Sequence, residues 1–229
     1  MAKTFLLAGA SSAIAIQTSA ALRGKGHRVI GISTKEAGEN YDEFYRVEKY
    51  TPDQFPALSI SLDGLVYFPG SINLKPFSRI AHAEFLLDFE INCLGAVALL
   101  QTYLTHIKRS GNGSVVFLSS VAAQMGLPFH TSVALSKGGL EGLTKALAAE
   151  LAPSVRVNCV APSLVNTPLG EKFINTPEKL EQMQKRNPMR KVGSPQEVAS
   201  AIVFLLTEDS SWVTGQILAI DGGMGTLKN

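Results

Sequence analysis

The chain of 229 residues is 45% hydrophobic and 17% charged, which is the composition of one folded domain with a substantial core. Its formal net charge of +2 comes from scattered basic residues, which argues against a nucleic-acid-binding surface. Its two cysteines, Cys93 and Cys159, form no CxxC pair and no His-rich cluster. The sequence therefore predicts no disulfide framework and no metal site, and it favours a reducing, cytoplasmic location.

The amino-terminal segment allows two interpretations. Lys3 is followed by an apolar run, as in a signal peptide. The same run serves as the first strand of the alternating pattern that follows it, and we favour that interpretation. No later segment reaches the roughly 18 unbroken apolar residues of a membrane span, so no membrane partner is expected.

Short apolar runs alternate along the chain with longer segments of helical period. Strands are predicted at residues 4–8, 28–32, 64–68, 114–118, 156–160 and 216–220, with a weaker one at 44–47. Helices are predicted at residues 13–25, 83–108, 132–151, 177–186 and 195–206. Most strands are apolar on successive residues, which is typical of parallel strands buried on both faces. The prediction is an α/β fold: one domain over residues 1–229, with a Rossmann-type doubly wound parallel sheet of about seven strands and helices on both faces.

The turn after the first strand is the first candidate ligand site. Small residues there would let the backbone approach a pyrophosphate, and the start of the next helix offers free N–H groups. The turn comprises Gly9, Ala10, Ser11, Ser12, Ala13, Ile14 and Ala15. A turn that merely packs a helix against a strand would have much the same composition.

Six further segments, in register along the chain, resemble the short-chain dehydrogenases/reductases. That family opens with Gly-x-x-x-Gly-x-Gly, where this chain keeps Gly9 but has Ala13 and Ala15. The other matches are Tyr67-Phe68-Pro69-Gly70 for Asn-Asn-Ala-Gly, Asn92, Ser120, Val133 to Lys137 for Tyr-x-x-x-Lys, Pro162 to Thr167 for Pro-Gly-x-Val-x-Thr, and the closing Asp221-Gly222-Gly223.

The resemblance implies a nicotinamide dinucleotide cofactor. The residues expected to bind it are Gly9, Ser11, Ser12, Ala13, Ile14, Ser33, Thr34, Lys35, Pro69, Gly70, Asn92, Lys137, Pro162, Ser163, Val165 and Thr167. At the end of the second strand, hydroxyls and a cation precede the first carboxylate, Glu36, which favours NADP(H) over NAD(H). An ordinary polar turn is the alternative there.

The resemblance also implies a catalytic set, from which one member is missing. The family's tyrosine donates a proton, and its lysine lowers the tyrosine pKa and binds the nicotinamide ribose. Here Val133 stands at the tyrosine position, whereas Asn92, Ser120 and Lys137 are retained. His130 precedes Lys137 by seven residues, and an imidazole can act as a general acid at neutral pH. A histidine that only lines the pocket is the alternative, with water supplying the proton.

The remaining expectations concern substrate and assembly. Residues 168–192 mix apolar and basic side chains, and they are expected to form a lid over a small molecule or an acyl thioester. The family resemblance implies a homotetramer or a dimer. The predicted function is NADP(H)-dependent reduction of a carbonyl or enoyl substrate. The alternative is a catalytically silent dinucleotide-binding sensor or scaffold protein.

Overall fold

The computed structural model describes residues 2–228, and a single parallel sheet organises them. Its seven strands are β1 (Thr4–Ala8), β2 (Arg28–Ser33), β3 (Glu43–Arg46), β4 (Gly64–Tyr67), β5 (Gly113–Leu118), β6 (Val155–Pro162) and β7 (Ile217–Ile220). They lie in the order β3-β2-β1-β4-β5-β6-β7, and every neighbouring pair is parallel. The predicted doubly wound sheet is therefore confirmed, including the weak third strand.

Six α-helices connect the strands. They are α1 (Ala13–Gly24), α2 (His82–Phe89), α3 (Gly95–Lys108), α4 (Thr131–Leu151), α5 (Pro177–Arg186) and α6 (Pro195–Leu206). The single helix predicted at residues 83–108 is divided, because a π-helical turn, Glu90–Leu94, joins α2 to α3. Among residues 2–228, no helix is both long enough and apolar enough to cross a membrane.

Alternation along each strand builds a separate core on each face of the sheet. In β1, Leu6 and Ala8 pack in the cluster that contains α3 and α4, whereas Phe5 and Leu7 pack in the cluster that contains α1 and α6. Successive side chains of a strand point to opposite faces, so continuously apolar strands require helices on both sides.

The site lies where the chain changes its direction of winding across the sheet. From β1 the chain winds outward through β2 and β3, then returns to place β4 on the other side of β1. In such a sheet the loops after the carboxyl ends of the strands diverge here and leave a crevice. The loops after β1, β4, β5 and β6 all open into this crevice.

Candidate functional site

A cleft of about 1820 Å³ lies at the carboxyl ends of the strands. It brings together most of the residues that the sequence predicted as a binding site. These are Gly9, Ser11, Ser12, Ala13, Ile14, Thr34, Lys35, Pro69, Gly70, Ser120, His130, Lys137, Pro162, Ser163, Val165 and Thr167. Two predicted residues, Ser33 and Asn92, lie just beneath its surface and support residues that line it.

The turn after β1 depends on its single glycine. Gly9 has φ +80°, and a Cβ on it would lie 2.8 Å from Cδ of Pro69. Glycine alone adopts this backbone conformation readily, and the contact leaves no room for a side chain. Because the β1 and β4 loops touch here, Pro69 and the turn form one continuous wall of the cleft.

Serines hold that turn against the end of β2. The Ser12 hydroxyl caps α1 by accepting a hydrogen bond from the Ala15 N–H at 3.1 Å. Ser33 is buried, and its hydroxyl donates to Oγ of Ser11 at 2.8 Å. Ser33 therefore fixes the turn from below, while Thr34 and Lys35 face the cleft.

Lys137 is the buried cation of the site. Its ammonium donates a hydrogen bond to the carbonyl oxygen of Leu118 at 2.7 Å, and the residue is only 6% exposed. Burial lowers the pKa of Lys137 to about 8, since the charged form loses its hydration. α4 brings this side chain to the end of β5, where it lines the cleft.

Gly70 leaves a space between Lys137 and Asn92. A Cβ on Gly70 would lie 3.3 Å from Nζ of Lys137 and 3.1 Å from Oδ1 of Asn92. A ligand oxygen in that space would meet a cation on one side and amide polarity on the other. The glycine thus gives a polar ligand access to two groups that any side chain would cover.

The π-helical turn Glu90–Leu94 carries Asn92 into position. Nδ2 of Asn92 donates to the Asp88 carbonyl and to the Ser71 hydroxyl, both at 2.8 Å, and Oδ1 accepts from the Ser71 N–H at 3.2 Å. Single π turns inside helices frequently mark functional sites. This one anchors Asn92 to the loop that follows Gly70.

Ser120 follows β5 and begins the short 3-10 turn Val121–Ala123. Its Oγ accepts a hydrogen bond from the Ala122 N–H at 3.2 Å. That contact uses one lone pair, so the O–H can still donate into the cleft. The geometry suits the role of holding an electron-rich substrate atom.

Val133 and His130 differ in what they can contribute. Val133 is buried against the cleft and has no ionisable group. His130 precedes α4 directly, and its Nδ1 lies 2.7 Å from the Pro128 carbonyl oxygen. In the neutral ring this contact places the proton on Nδ1 and leaves Nε2 as an acceptor. A positive charge on His130 would face the positive end of the α4 dipole.

Residues of the segment 168–192 line one side of the cleft. Its apolar members Leu169, Phe173 and Met183 line the cleft, as do Lys185 and Lys191. In addition, the ammonium of Lys172 donates to the carbonyl oxygen of Ile72 at 3.0 Å, joining the segment to the β4 loop.

Sequence reasoning missed four residues of this region: Tyr50, Ser71, Asp88 and Ser132. The Tyr50 ring lines the cleft, where burial raises its pKa, and it packs edge-to-face on Tyr67 at 5.7 Å. The other three form a hydrogen-bonded set beside Asn92, in which Asp88 and Ser132 are buried and Ser71 lines the cleft. No motif marks these positions; only their three-dimensional contacts do.

A family model described as Enoyl-(Acyl carrier protein) reductase matches residues 53–225. The chain belongs to the short-chain dehydrogenase/reductase family. Its members are NAD(P)-dependent oxidoreductases, and residues 53–225 include every catalytic position that the sequence predicted. Among residues 2–228 no group of three or more His, Cys, Asp or Glu side chains is placed to hold a metal ion.

Known relatives and solved structures extend this assignment. The chain is 38% identical over 165 residues to 3-oxoacyl-[acyl-carrier-protein] reductase FabG of Thermotoga maritima, covering 71% of this chain and 66% of that protein. It is 32% identical over 232 residues to L-xylulose reductase of Bos taurus, covering 95% of this chain and 94% of that protein. The ligand-free aldohexose dehydrogenase of Thermoplasma acidophilum superposes with a TM-score of 0.92 at 29% identity, over 99% of this chain and 95% of that one.

Proposed function

We propose that this protein is an NADP(H)-dependent oxidoreductase that reduces a carbonyl or an enoyl group, including one carried on an acyl thioester. The observation that carries the proposal is the pairing of Lys137 with Asn92 across Gly70. A buried ammonium with one carbonyl partner is costly unless a ligand supplies more oxygen atoms. The hydroxyls of a nicotinamide ribose would supply them.

A dinucleotide is proposed to lie along the cleft. The Gly9 turn and the start of α1 suit the pyrophosphate, and residues 162–167 are proposed to contact the nicotinamide end. Lys35 and Thr34 are proposed to bind a ribose 2′-phosphate. Glu36, the first carboxylate after β2, lies 3.6 Å from Arg46 in an exposed ion pair, which supports the NADP(H) preference.

When bound, the nicotinamide supplies the hydride. Ser120 is proposed to donate a hydrogen bond to the substrate oxygen, and Lys137 and Asn92 to orient the ribose. Because Val133 cannot transfer a proton, the proton must come from another group or from water, and His130 is one candidate because it lines the cleft.

The proposed substrate end is apolar with a basic edge. Leu169, Phe173 and Met183 would contact a hydrophobic chain, while Lys185 and Lys191 stand where a phosphorylated carrier would enter. This combination of apolar and basic side chains supports an acyl thioester as the substrate rather than a small sugar.

The proposed assembly is a homotetramer. Ala96 and Ala148 are buried in the core, so these small residues cover the sheet rather than face another subunit. Exposed leucines on the neighbouring surface, Leu86, Leu94 and Leu135, support the proposal instead. Light scattering after gel filtration tests it, and a monomer at micromolar concentration contradicts it.

Oxidation of NADPH tests the proposed reaction directly. The protein is mixed with NADPH and, in parallel reactions, with ketoacyl thioesters, enoyl thioesters and simple ketones. We expect turnover on at least one class, and none when Lys137→Met replaces the wild type. Binding of NADPH without turnover on any class would favour the catalytically silent sensor or scaffold instead.

A further inference from the structure

A buried carboxylate behind the cleft has no part in the reaction described above. Asp88 of α2 is 4% exposed, and no ion pair among residues 2–228 involves it. Instead it receives two hydroxyl donors, Ser71 to Oδ1 and Ser132 to Oδ2, each at 2.5 Å. Burying a carboxyl group without a cation is costly, which points to a function for Asp88.

One end of this set reaches the cleft. Ser71 lines the cleft directly after Gly70, whereas Asp88 and Ser132 lie behind it. The Ser71 hydroxyl donates to Asp88 and accepts from Nδ2 of Asn92, which leaves one of its lone pairs for a ligand. A hydroxyl held this way can pass a proton between the cleft and the carboxyl group.

The other end lies beside the missing phenol. Ser132 immediately precedes Val133, and its buried hydroxyl fixes the second oxygen of Asp88. The carboxyl group is therefore held in one orientation between the loop after β4 and the start of α4. It cannot turn away from Ser71 without losing a buried hydrogen bond.

We propose that Ser71, backed by Asp88, is the proton-transfer group that takes over from the phenol absent at Val133. This inference rests on the proposed function. The proton steps follow the observed hydrogen bonds in the direction of oxidation. As hydride would leave the substrate carbon for the bound nicotinamide, the substrate hydroxyl would give its proton to the Ser71 oxygen and become a carbonyl. Ser71 would pass its own hydroxyl proton along its hydrogen bond to the Asp88 carboxylate, and the resulting carboxyl group would release that proton to solvent through Ser71 after the product leaves. Reduction follows the same steps in reverse.

The matched pair of variants Ser71→Ala and Ser136→Ala tests the proposal. Ser136 is a buried serine of α4 whose hydroxyl donates only to the carbonyls of Ser132 and Val133. For both variants the melting temperature, the NADPH dissociation constant and kcat are measured. Positioned acid–base groups contribute about 100-fold to 10,000-fold to the rate. We therefore expect Ser71→Ala to lose at least 100-fold in kcat while its NADPH dissociation constant stays within twofold.

A rescue experiment separates proton transfer from simple structural support. In the Val133→Tyr background, Ser71→Ala should lower kcat by less than tenfold, because a phenol would then stand where the family carries one. A hydroxyl that only supports the loop would not be replaced by a phenol on α4. Asp88→Asn should lose kcat as Ser71→Ala does, and Val133→Tyr should rescue it as well.

Different results would contradict the proton-transfer role of Ser71 and the proposed function of the protein. If wild-type turnover is present and Ser71→Ala keeps kcat within threefold of Ser136→Ala, the proton role is wrong while the proposed function stands. If Ser71→Ala also loses NADPH binding and Val133→Tyr restores nothing, Ser71 is a structural residue and the inference fails. A wild-type protein that binds NADPH without turnover on any substrate overturns the proposed function, and this inference with it.

Discussion

Lys137 and Asn92 face each other across Gly70: a Cβ on that glycine would lie 3.3 Å from the lysine ammonium and 3.1 Å from the asparagine oxygen. The lysine comes from α4 and the asparagine from a π turn 45 residues earlier, so the meeting is a product of the fold.

Gly70→Ala should fill the space between the two side chains. We expect the NADPH dissociation constant to rise at least tenfold while the protein still folds, since the Cβ contacts are tight rather than overlapping. Gly142→Ala is the control, because nothing lies within 4 Å of a Cβ there, inside α4. That change should stabilise the helix by about 0.5–1 kcal/mol and leave NADPH binding unchanged. Equal affinities in fluorescence titrations of the two variants would contradict the assignment.

Lys137→Met should make the protein more stable at pH 7. Burial lowers the pKa of Lys137 to about 8, below its value of 10.5 in the unfolded chain. Between these values the unfolded chain binds more protons, so the destabilising effect of the lysine is complete below pH 8 and fades as the pH rises to about 10.5. The shift corresponds to on the order of 3 kcal/mol at pH 7.

Denaturant unfolding of wild type and Lys137→Met across pH 7–10 measures this effect. The stability difference between the two proteins should shrink as the pH rises, and the other titrating groups cancel in the comparison. A methionine variant that is less stable than wild type at pH 7 would show that the ammonium is well solvated or paired.

Lys35→Glu should reverse the cofactor preference. The new carboxylate would repel a 2′-phosphate and could accept a hydrogen bond from a ribose 2′-hydroxyl. We expect NADPH binding to weaken at least tenfold while NADH binding stays within threefold or improves. Lys25→Glu makes the same change of charge at the far end of α1, outside the cleft, and should alter neither affinity by more than twofold.

His130→Ala distinguishes His130 from Ser71 as the proton-transfer group. If the proton passes through Ser71, kcat should fall by less than tenfold, because His130 is held to Pro128 at the positive end of α4. A loss of 100-fold or more, measured at saturating NADPH, would assign proton transfer to His130. Val133→Tyr alone should raise ketone reduction in either case.

Much of the fold could be predicted because its signals are local. Four buried strands contain continuous apolar runs, and α6 begins where predicted because Ser194, Pro195 and Glu197 form a complete start signal. The π turn could not be predicted, since the apolar pattern of residues 83–108 continues through it without interruption. The one extra residue of the π turn does not interrupt the apolar pattern of residues 83–108.

The residues of the candidate site also divide into those that a sequence motif marks and those that none marks. A motif marks four of them, either directly after a strand or within a helix: Gly9, Gly70, Ser120 and Lys137. Asp88 instead is hydrogen-bonded to serines that lie 17 and 44 residues away along the chain. Each of these three residues, taken alone, has the sequence context of an ordinary polar residue. Their relationship depends on how α2, α4 and the β4 loop pack, which no spacing rule encodes.

Fluorescence titration with NADPH tests the central claim most directly, using wild type, Lys137→Met and the control Lys145→Met, whose lysine is exposed on the same helix. The account predicts saturable binding by wild type, with NADH weaker by at least tenfold. It predicts at least tenfold weaker NADPH binding by Lys137→Met and an unchanged dissociation constant for Lys145→Met. Wild-type protein that binds neither nucleotide, or a Lys137→Met variant that binds NADPH as tightly as wild type, would contradict it.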